Sequence, residues 1–207
     1  MKVAVMCTGS GTNLQALLDA EDGGTLGARI VLVISNRSKA FALKRAKSSG
    51  REAMVLRARD FETENAYADE LLSVLKDRGI ELICLAGYLK RLPAKLVAEF
   101  RGRILNIHPG PLPRFGGQGM FGHHVHESVI ASGVRESGPT VFFVDEEYDT
   151  GAIIAFTPVP VQPGDTPDTL ARRVLAAEHL LYPRVVAAVV KGQVQLQDGK
   201  CVGRLND

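Results

Sequence analysis

Short apolar runs rich in β-branched residues recur along the chain and alternate with stretches of helical spacing. Residues 2–7, 29–35, 82–86, 104–107, 140–144 and 153–161 read as strands. The early runs are apolar on both sides instead of alternating, as a sheet covered on both faces requires. Between residues 60 and 76 the apolar set Ala68, Leu71, Leu72 and Leu75 falls at i, i+3, i+4 and i+7 of a helix. Asp60 is its expected N-cap, and Glu62 and Glu64 suit the positive end. This alternation predicts an α/β fold, with a mostly parallel, Rossmann-like sheet and helices on both faces.

The pattern changes in the last third. Runs 140–144 and 153–161 flank an acidic turn, Asp145-Glu146-Glu147-Tyr148-Asp149-Thr150-Gly151, and predict an antiparallel pair. Thr166-Pro167-Asp168 then supplies an N-cap, a proline at the first helical position and an acid in the first turn. A long helix carrying Leu170, Val174, Ala177 and Leu181 follows, and Pro183 is expected to kink or restart it. Residues 191–207 form a tail, read as a final strand or a loosely held end. Residues 109–122 hold three prolines and five glycines in 14 positions, a loop long enough to suggest function.

Composition narrows the class. With 207 residues the chain is one large domain or at most two small ones. Hydrophobic residues at 45 % and charged residues at 23 % exclude a disordered, collagen-like or coiled-coil chain. A net charge of +2 offers no electrostatic case for nucleic acid or an acidic membrane. Cys7, Cys84 and Cys201 are odd in number and form no C-x-x-C pair, so free thiols in a reducing compartment are expected. The first apolar run is short and ends in a turn, which predicts a first strand and not a signal peptide. Cytoplasm is the expected location.

Five places carry candidate chemistry. Thr8-Gly9-Ser10-Gly11-Thr12-Asn13-Leu14-Gln15 follows the first strand and opens a helix, a pattern that aims backbone N–H groups at an anion. A phosphate fits, whereas a dinucleotide fits poorly. Leu14 stands where that fingerprint wants Gly or Ala, and Ser35-Asn36 where it wants an acid. Asn106 and His108 lie two apart at the carboxyl end of a strand, so they project together where α/β sheets bind ligands. An amide beside an imidazole can polarise a carbonyl and hold the oxyanion formed on addition. Asp149 sits at a sharp return, and it reads either as a partner for an imidazole or as part of a plain acidic turn. His123, His124 and His126 suggest metal by composition only, and a helix start packed near the loop is the preferred reading. Glu178 lies on the flank of an apolar stripe and wants a partner, either an arginine such as Arg172 or Arg173 or a cationic substrate, and helix spacing favours the salt bridge.

Together these pieces resemble phosphoribosylglycinamide formyltransferase, a folate-dependent family of purine synthesis. The marks are Gly9 to Gln15, Leu85-Ala86-Gly87-Tyr88-Leu89-Lys90, Asn106-Ile107-His108-Pro109, Leu112-Pro113, Asp149-Thr150-Gly151 and Glu178-His179-Leu180-Leu181-Tyr182-Pro183. They run in the family's order from residue 1 to about residue 195. The resemblance implies transfer of a formyl group from 10-formyltetrahydrofolate to the amine of 5-phosphoribosylglycinamide, directly, through a tetrahedral intermediate and without a metal. It implies a catalytic trio of Asn106, His108 and Asp149, with Asp149 holding His108 protonated. It implies Gly11, Thr12 and Asn13 at the phosphate, and Glu178 at the glycinamide end. Leu89, Lys90, Arg91 and Leu92, with Asp145, Glu146, Glu147, Tyr148 and Asp149, would line the folate pocket, to which Asn106 also belongs.

On this reading 1–207 is a single formyltransferase domain. A phosphate-binding half spans about 1–100, a folate-binding and catalytic half about 101–190, and the tail 191–207. Partners would be small molecules only, and the chain a monomer or homodimer. Three departures stand out. Gly110-Pro111 replaces the common Ser-Leu, residues 115–126 are longer than usual, and Glu64 stands where some members carry a folate-tail arginine. The nearest rivals are a formyltetrahydrofolate hydrolase, with water as acceptor, and a non-catalytic nucleotide-binding module.

Overall fold

The computed structural model describes residues 1–205. The chain forms two compact units that meet in sequence between Leu105 and Asn106. The first holds β1 (Lys2–Cys7), α1 (Thr12–Asp22), β2 (Arg29–Ser35), α2 (Phe41–Ser48), β3 (Glu52–Val55), α3 (Glu64–Asp77), β4 (Leu82–Leu85) and α4 (Ala94–Glu99). β5 (Ile104–His108) begins there and ends in the second unit. The second unit continues with α5 (His123–Ala131), β6 (Glu136–Ser137), β7 (Thr140–Phe143), β8 (Ile153–Phe156), β9 (Val159–Pro160), α6 (Pro167–Val190), β10 (Val194–Gln197) and β11 (Lys200–Gly203).

In the first unit the strands run in the order β3-β2-β1-β4, and all three pairings are parallel. Val3 to Cys7 of β1 and Leu82 to Leu85 of β4 are buried without alternation, because neighbours cover both sides of each strand. Leu14, Leu17 and Leu18 of α1 are fully buried, as are Leu71 and Leu75 of α3. Helix α3 starts later than its pattern suggests. Thr63, extended at φ −137°, caps it by accepting from Ala66 N at 3.1 Å. Asp60 instead closes a short 3₁₀ turn and is held by the Arg57 guanidinium, so it does not cap. β3 is an edge strand with partly exposed residues, and lacks the apolar run that announced the others.

In the second unit β7 and β8 pair antiparallel, with Thr140 opposite Phe156. The one strand expected over 153–161 is two. Pro158 has no N–H to continue a ladder, and beyond it β9 pairs with β6 instead. Thr166 and Thr169 form a reciprocal cap on α6, whose 24 residues run through Pro183 without restarting. The core gathers Phe115, Val125, Val129, Val159, Leu170 and Val174. The tail folds as the β10–β11 hairpin, turned by Asp198 and Gly199, both at positive φ. Its last two residues, Asn206 and Asp207, lie outside the described residues. The whole is thus a mostly parallel sheet with helices, joined by antiparallel strands in the C-terminal part. Among the described residues no helix is long and apolar enough to cross a membrane.

Candidate active site

The turn after β1 is built from backbone. Gly11 adopts φ 71° and ψ 34°, a left-handed conformation suited to glycine. A Cβ there would stand 2.7 Å from Ala42 Cβ, so this position needs glycine for space as well. Helix α1 starts at Thr12 with no side-chain cap from Gly11, which leaves the positive end of its dipole to the turn. Helix α2 braces the same turn. Ala42 N donates to Gly9 O at 3.2 Å, Arg45 Nε to Ser10 O at 2.9 Å, and Arg45 Nη1 to Gln15 Oε1 at 3.0 Å. Asn13 is buried. Gly11, Thr12 and Asn13 therefore sit where an anion would meet amide N–H groups.

The segment after β4 is tied to this turn. Thr8 N donates to Gly87 O at 3.0 Å, and Leu89 N to Thr8 Oγ1 at 2.9 Å. Tyr88 turns inward, its hydroxyl 3.0 Å from that of Tyr67. Leu89, Lys90 and Arg91 are exposed and Leu92 is buried.

The catalytic candidates come from β5 and from the β7–β8 turn. Asn106 and His108, two apart on β5, leave the backbone on the same side. His108 is 3 % exposed. Its Nε2 lies 2.7 Å from the Phe115 carbonyl, and its Nδ1 lies 3.6 Å from Asp149 Oδ2. The second distance is that of an ion pair, longer than a hydrogen bond. Asp149 Oδ2 accepts from Gly117 N at 3.0 Å. Asp149 itself stands at φ 57°, uncommon for a side chain, and an Asp tolerates that region better than most. Gly151 completes the return, since a Cβ there would fall 1.7 Å from Phe143 O. Asp145 organises the turn by accepting from Thr150 Oγ1 at 2.8 Å and Glu147 N at 3.2 Å. Asp145, Glu146, Glu147 and Tyr148 are exposed.

Burial holds His108 below the ordinary histidine range, while Asp149 and the Phe115 carbonyl push the other way. Asp149 therefore favours the charged ring but does not outweigh desolvation, so the ring is not held protonated as the resemblance implied. A ring flanked by two acceptors satisfies both only when each nitrogen carries hydrogen.

The remaining candidates divide. Gly110 leaves room that a side chain would fill: a Cβ would stand 2.6 Å from Val125 Cγ1 and 3.3 Å from His108 Nε2. Its carbonyl accepts from Thr140 Oγ1 at 2.8 Å. His123, His124 and His126 open α5, as the helix-start reading expects. His124 meets the Phe121 ring edge-on, and His123 Nε2 lies 3.4 Å from Asp168. His126 is buried, and burial, with His123 and His108 nearby, lowers its pKa to about 4. Glu178 is 7 % exposed on α6. The bridge expected from Arg173 goes instead to Asp165, which lies just before the helix and faces the guanidinium. Arg172 is exposed. Neither arginine is three or four residues from Glu178, the spacing that makes helix neighbours. Composition marked the loop 109–122 but not what Phe115 and Gly117 do there, since they meet His108 and Asp149 through backbone atoms.

A family model described as Formyl transferase matches residues 1–186. The chloroplastic phosphoribosylglycinamide formyltransferase of Arabidopsis thaliana is 41 % identical over 198 residues, covering 95 % of this chain and 68 % of that protein. The trifunctional purine biosynthetic protein adenosine-3 of Drosophila melanogaster is 44 % identical over 193 residues. This chain spans 92 % of its own length in that match and only 14 % of the fly protein's. The crystal structure of glycinamide ribonucleotide transformylase 1 from Symbiobacterium toebii superposes with a TM-score of 0.92 at 36 % identity, covering 100 % of this chain and 94 % of the other. The match to the family model runs through β5 and the His108–Asp149 pair and covers most of the chain: this chain belongs to the formyl transferase family.

Proposed function

We propose that this chain transfers a formyl group from 10-formyltetrahydrofolate to the amine of 5-phosphoribosylglycinamide, giving phosphoribosyl-N-formylglycinamide and tetrahydrofolate, a step of de novo purine biosynthesis. The observation that carries this reading is the buried His108 held 3.6 Å from Asp149, beside Asn106, in a chain of the formyl transferase family. The substrate amine adds to the formyl carbon, and the carbonyl electron pair moves to oxygen. The Asn106 amide and a protonated His108 stabilise that oxyanion. Asp149 raises the affinity of His108 for its proton and helps move the amine's proton onward. The bond from the formyl carbon to folate N10 then breaks, and N10 ends with the proton the amine gave up. No covalent intermediate with the protein forms.

Gly11, Thr12 and Asn13 hold the ribose phosphate at the start of α1. Glu178, a buried carboxylate, receives the glycinamide end. Leu89, Lys90, Arg91 and Leu92 line the folate pocket together with Asn106, Asp145, Glu146, Glu147, Tyr148 and Asp149. The reading also carries a cytoplasmic location, a monomer or homodimer, one domain, no metal, and small molecules as the only partners.

The test is a spectrophotometric assay with 10-formyl-dideazafolate, with and without phosphoribosylglycinamide. Deformylation that requires the glycinamide is the expected result. Deformylation without it would make water the acceptor and overturn the transferase reading. No reaction from folded protein in either arm would overturn catalysis altogether.

A further inference from the structure

His108 and Asp149 are 41 residues apart in sequence, yet both meet one short stretch of backbone. The Phe115 side chain is 5 % exposed and sits in the core with Val125, Val129, Val159, Leu170 and Val174. Arg114 covers the ring, its guanidinium carbon 5.1 Å from the centroid. The turn leading in is closed by Phe115 N to Pro111 O at 3.0 Å and Gly116 N to Pro113 O at 3.3 Å. An anchored side chain and two backbone bonds thus fix where the next groups point. The Phe115 carbonyl meets His108 Nε2 at 2.7 Å, and Gly117 N–H meets Asp149 Oδ2 at 3.0 Å.

The two adjacent glycines differ. Gly117 has φ 101°, a region other residues rarely enter. Gly116 is crowded: a Cβ there would stand 2.4 Å from Leu112 Cδ2, the movable end of a flexible side chain, 3.0 Å from Asp149 Cβ and 3.6 Å from Asp149 Oδ2. Any side chain at 116 must push Leu112, Asp149 or the turn itself.

We propose that Phe115-Gly116-Gly117 is a positioning element, a backbone bracket that orients His108 through a carbonyl and Asp149 through an amide on either side of a glycine crowded against Asp149. This gives the glycine-rich stretch a role in setting the geometry of the reaction. The bracket rests on the formyl-transfer reading for its catalytic meaning, but not for its geometry. Of the titratable groups around His108, Asp149 favours its charged form. His126, close enough to His108 for their charges to interact, is neutral at neutral pH because its own pKa is about 4.

The experiment is an NMR titration of the His108 ring in the intact chain, run on the parent protein and on Gly116→Ala, Asp149→Asn and Gln118→Ala, alongside steady-state kinetics. Asp149→Asn removes the charge that favours the imidazolium, so the His108 midpoint falls. Gly116→Ala displaces Asp149, so the midpoint falls in the same direction. In Gly116→Ala kcat drops roughly 100-fold while KM for both substrates stays within about threefold, as expected for misplacing a reacting group by about 1 Å. Gln118 is exposed in the same loop, and Gln118→Ala matches the parent in both measurements. If Gly116→Ala does not fold, the pair Leu112→Ala with Gly116→Ala removes the nearest overlap, keeps the contact with Asp149, and is titrated instead.

A His108 midpoint that moves in Asp149→Asn but stays put in the Gly116 variant overturns the bracket, as does a midpoint unmoved by Asp149→Asn. A bracket that passes this titration in a chain unable to transfer formyl would leave the geometry standing and overturn the proposed function instead.

Discussion

The turn after β1 and the cluster around His108 both present polar groups at the ends of strands, but they are assembled differently. The turn runs over consecutive residues, Gly9 to Gln15, and its anion-facing groups are backbone amides at the start of α1. Its outside support comes from α2, through Ala42 and Arg45, and from the segment after β4, through Thr8. The cluster draws on β5, the stretch after Phe115 and the β7–β8 turn: His108 meets the Phe115 carbonyl and Asp149, and Asp149 meets Gly117 N. A local site of backbone dipoles tolerates side-chain change so long as the chain path survives. A site assembled from distant side chains in a buried setting depends on each contact, because desolvation magnifies every electrostatic term.

That contrast predicts where function is lost without loss of binding. His108→Ala should lower kcat about 1000-fold, in the range of lost acid–base assistance, with little change in substrate affinity. Kinetics together with equilibrium binding of the phosphoribosyl substrate check this. Unchanged kcat would remove the cluster from the mechanism.

The cluster also predicts a pH effect that the turn does not share. His126 binds its proton more weakly in the folded chain than in the unfolded one, and its Nδ1 finds no hydrogen-bond partner among the described residues. Stability should be full above the ordinary histidine pKa of about 6.5 and fall as pH drops towards about 4. At about 1.4 kcal/mol per pKa unit the loss from this residue approaches about 3 kcal/mol. Denaturant unfolding at several pH values should show His126→Gln with a flatter acid limb than the parent. Parallel limbs would assign the acid sensitivity elsewhere.

The smallest effect belongs to the turn. Gly11→Ala forces a side chain into the left-handed region and against Ala42 Cβ, so about 2 kcal/mol of stability should be lost. Weaker binding of the phosphoribosyl substrate should accompany it, while kcat at saturation holds. Unfolding midpoints and KM measured together decide it. A loss of kcat equal to that of His108→Ala would erase the distinction between the two regions.

Much of the frame was legible in the chain itself. Apolar runs without alternation, such as Val3 to Cys7, announced buried parallel strands, and Thr166-Pro167-Asp168 announced the start of α6. Asn106 and His108 could be paired by strand periodicity alone. β3 was not legible, because an edge strand lacks a two-sided apolar run. Asp60 looked like a cap by type, but Arg57 holds its carboxylate and Thr63 takes the role. Glu178 could be read as partly buried but not given its partner, since Arg173 is drawn to Asp165 by a turn that helix spacing does not describe.

What has local causes could be read from the chain: apolar period, the Thr166 cap of α6, the Gly11 turn and the two-residue spacing of Asn106 and His108. Residue patterns left Asp149 either an imidazole partner or a plain acidic turn, and only the resemblance paired it with His108; folding decided that burial outweighs its charge on the ring and that Phe115 and Gly117 hold the pair in place. Periodicity and capping act over a few residues and leave a mark in residue type. Desolvation and hydrogen bonds from backbone atoms depend on which segments close over a group, and every residue but proline carries the same backbone amide and carbonyl.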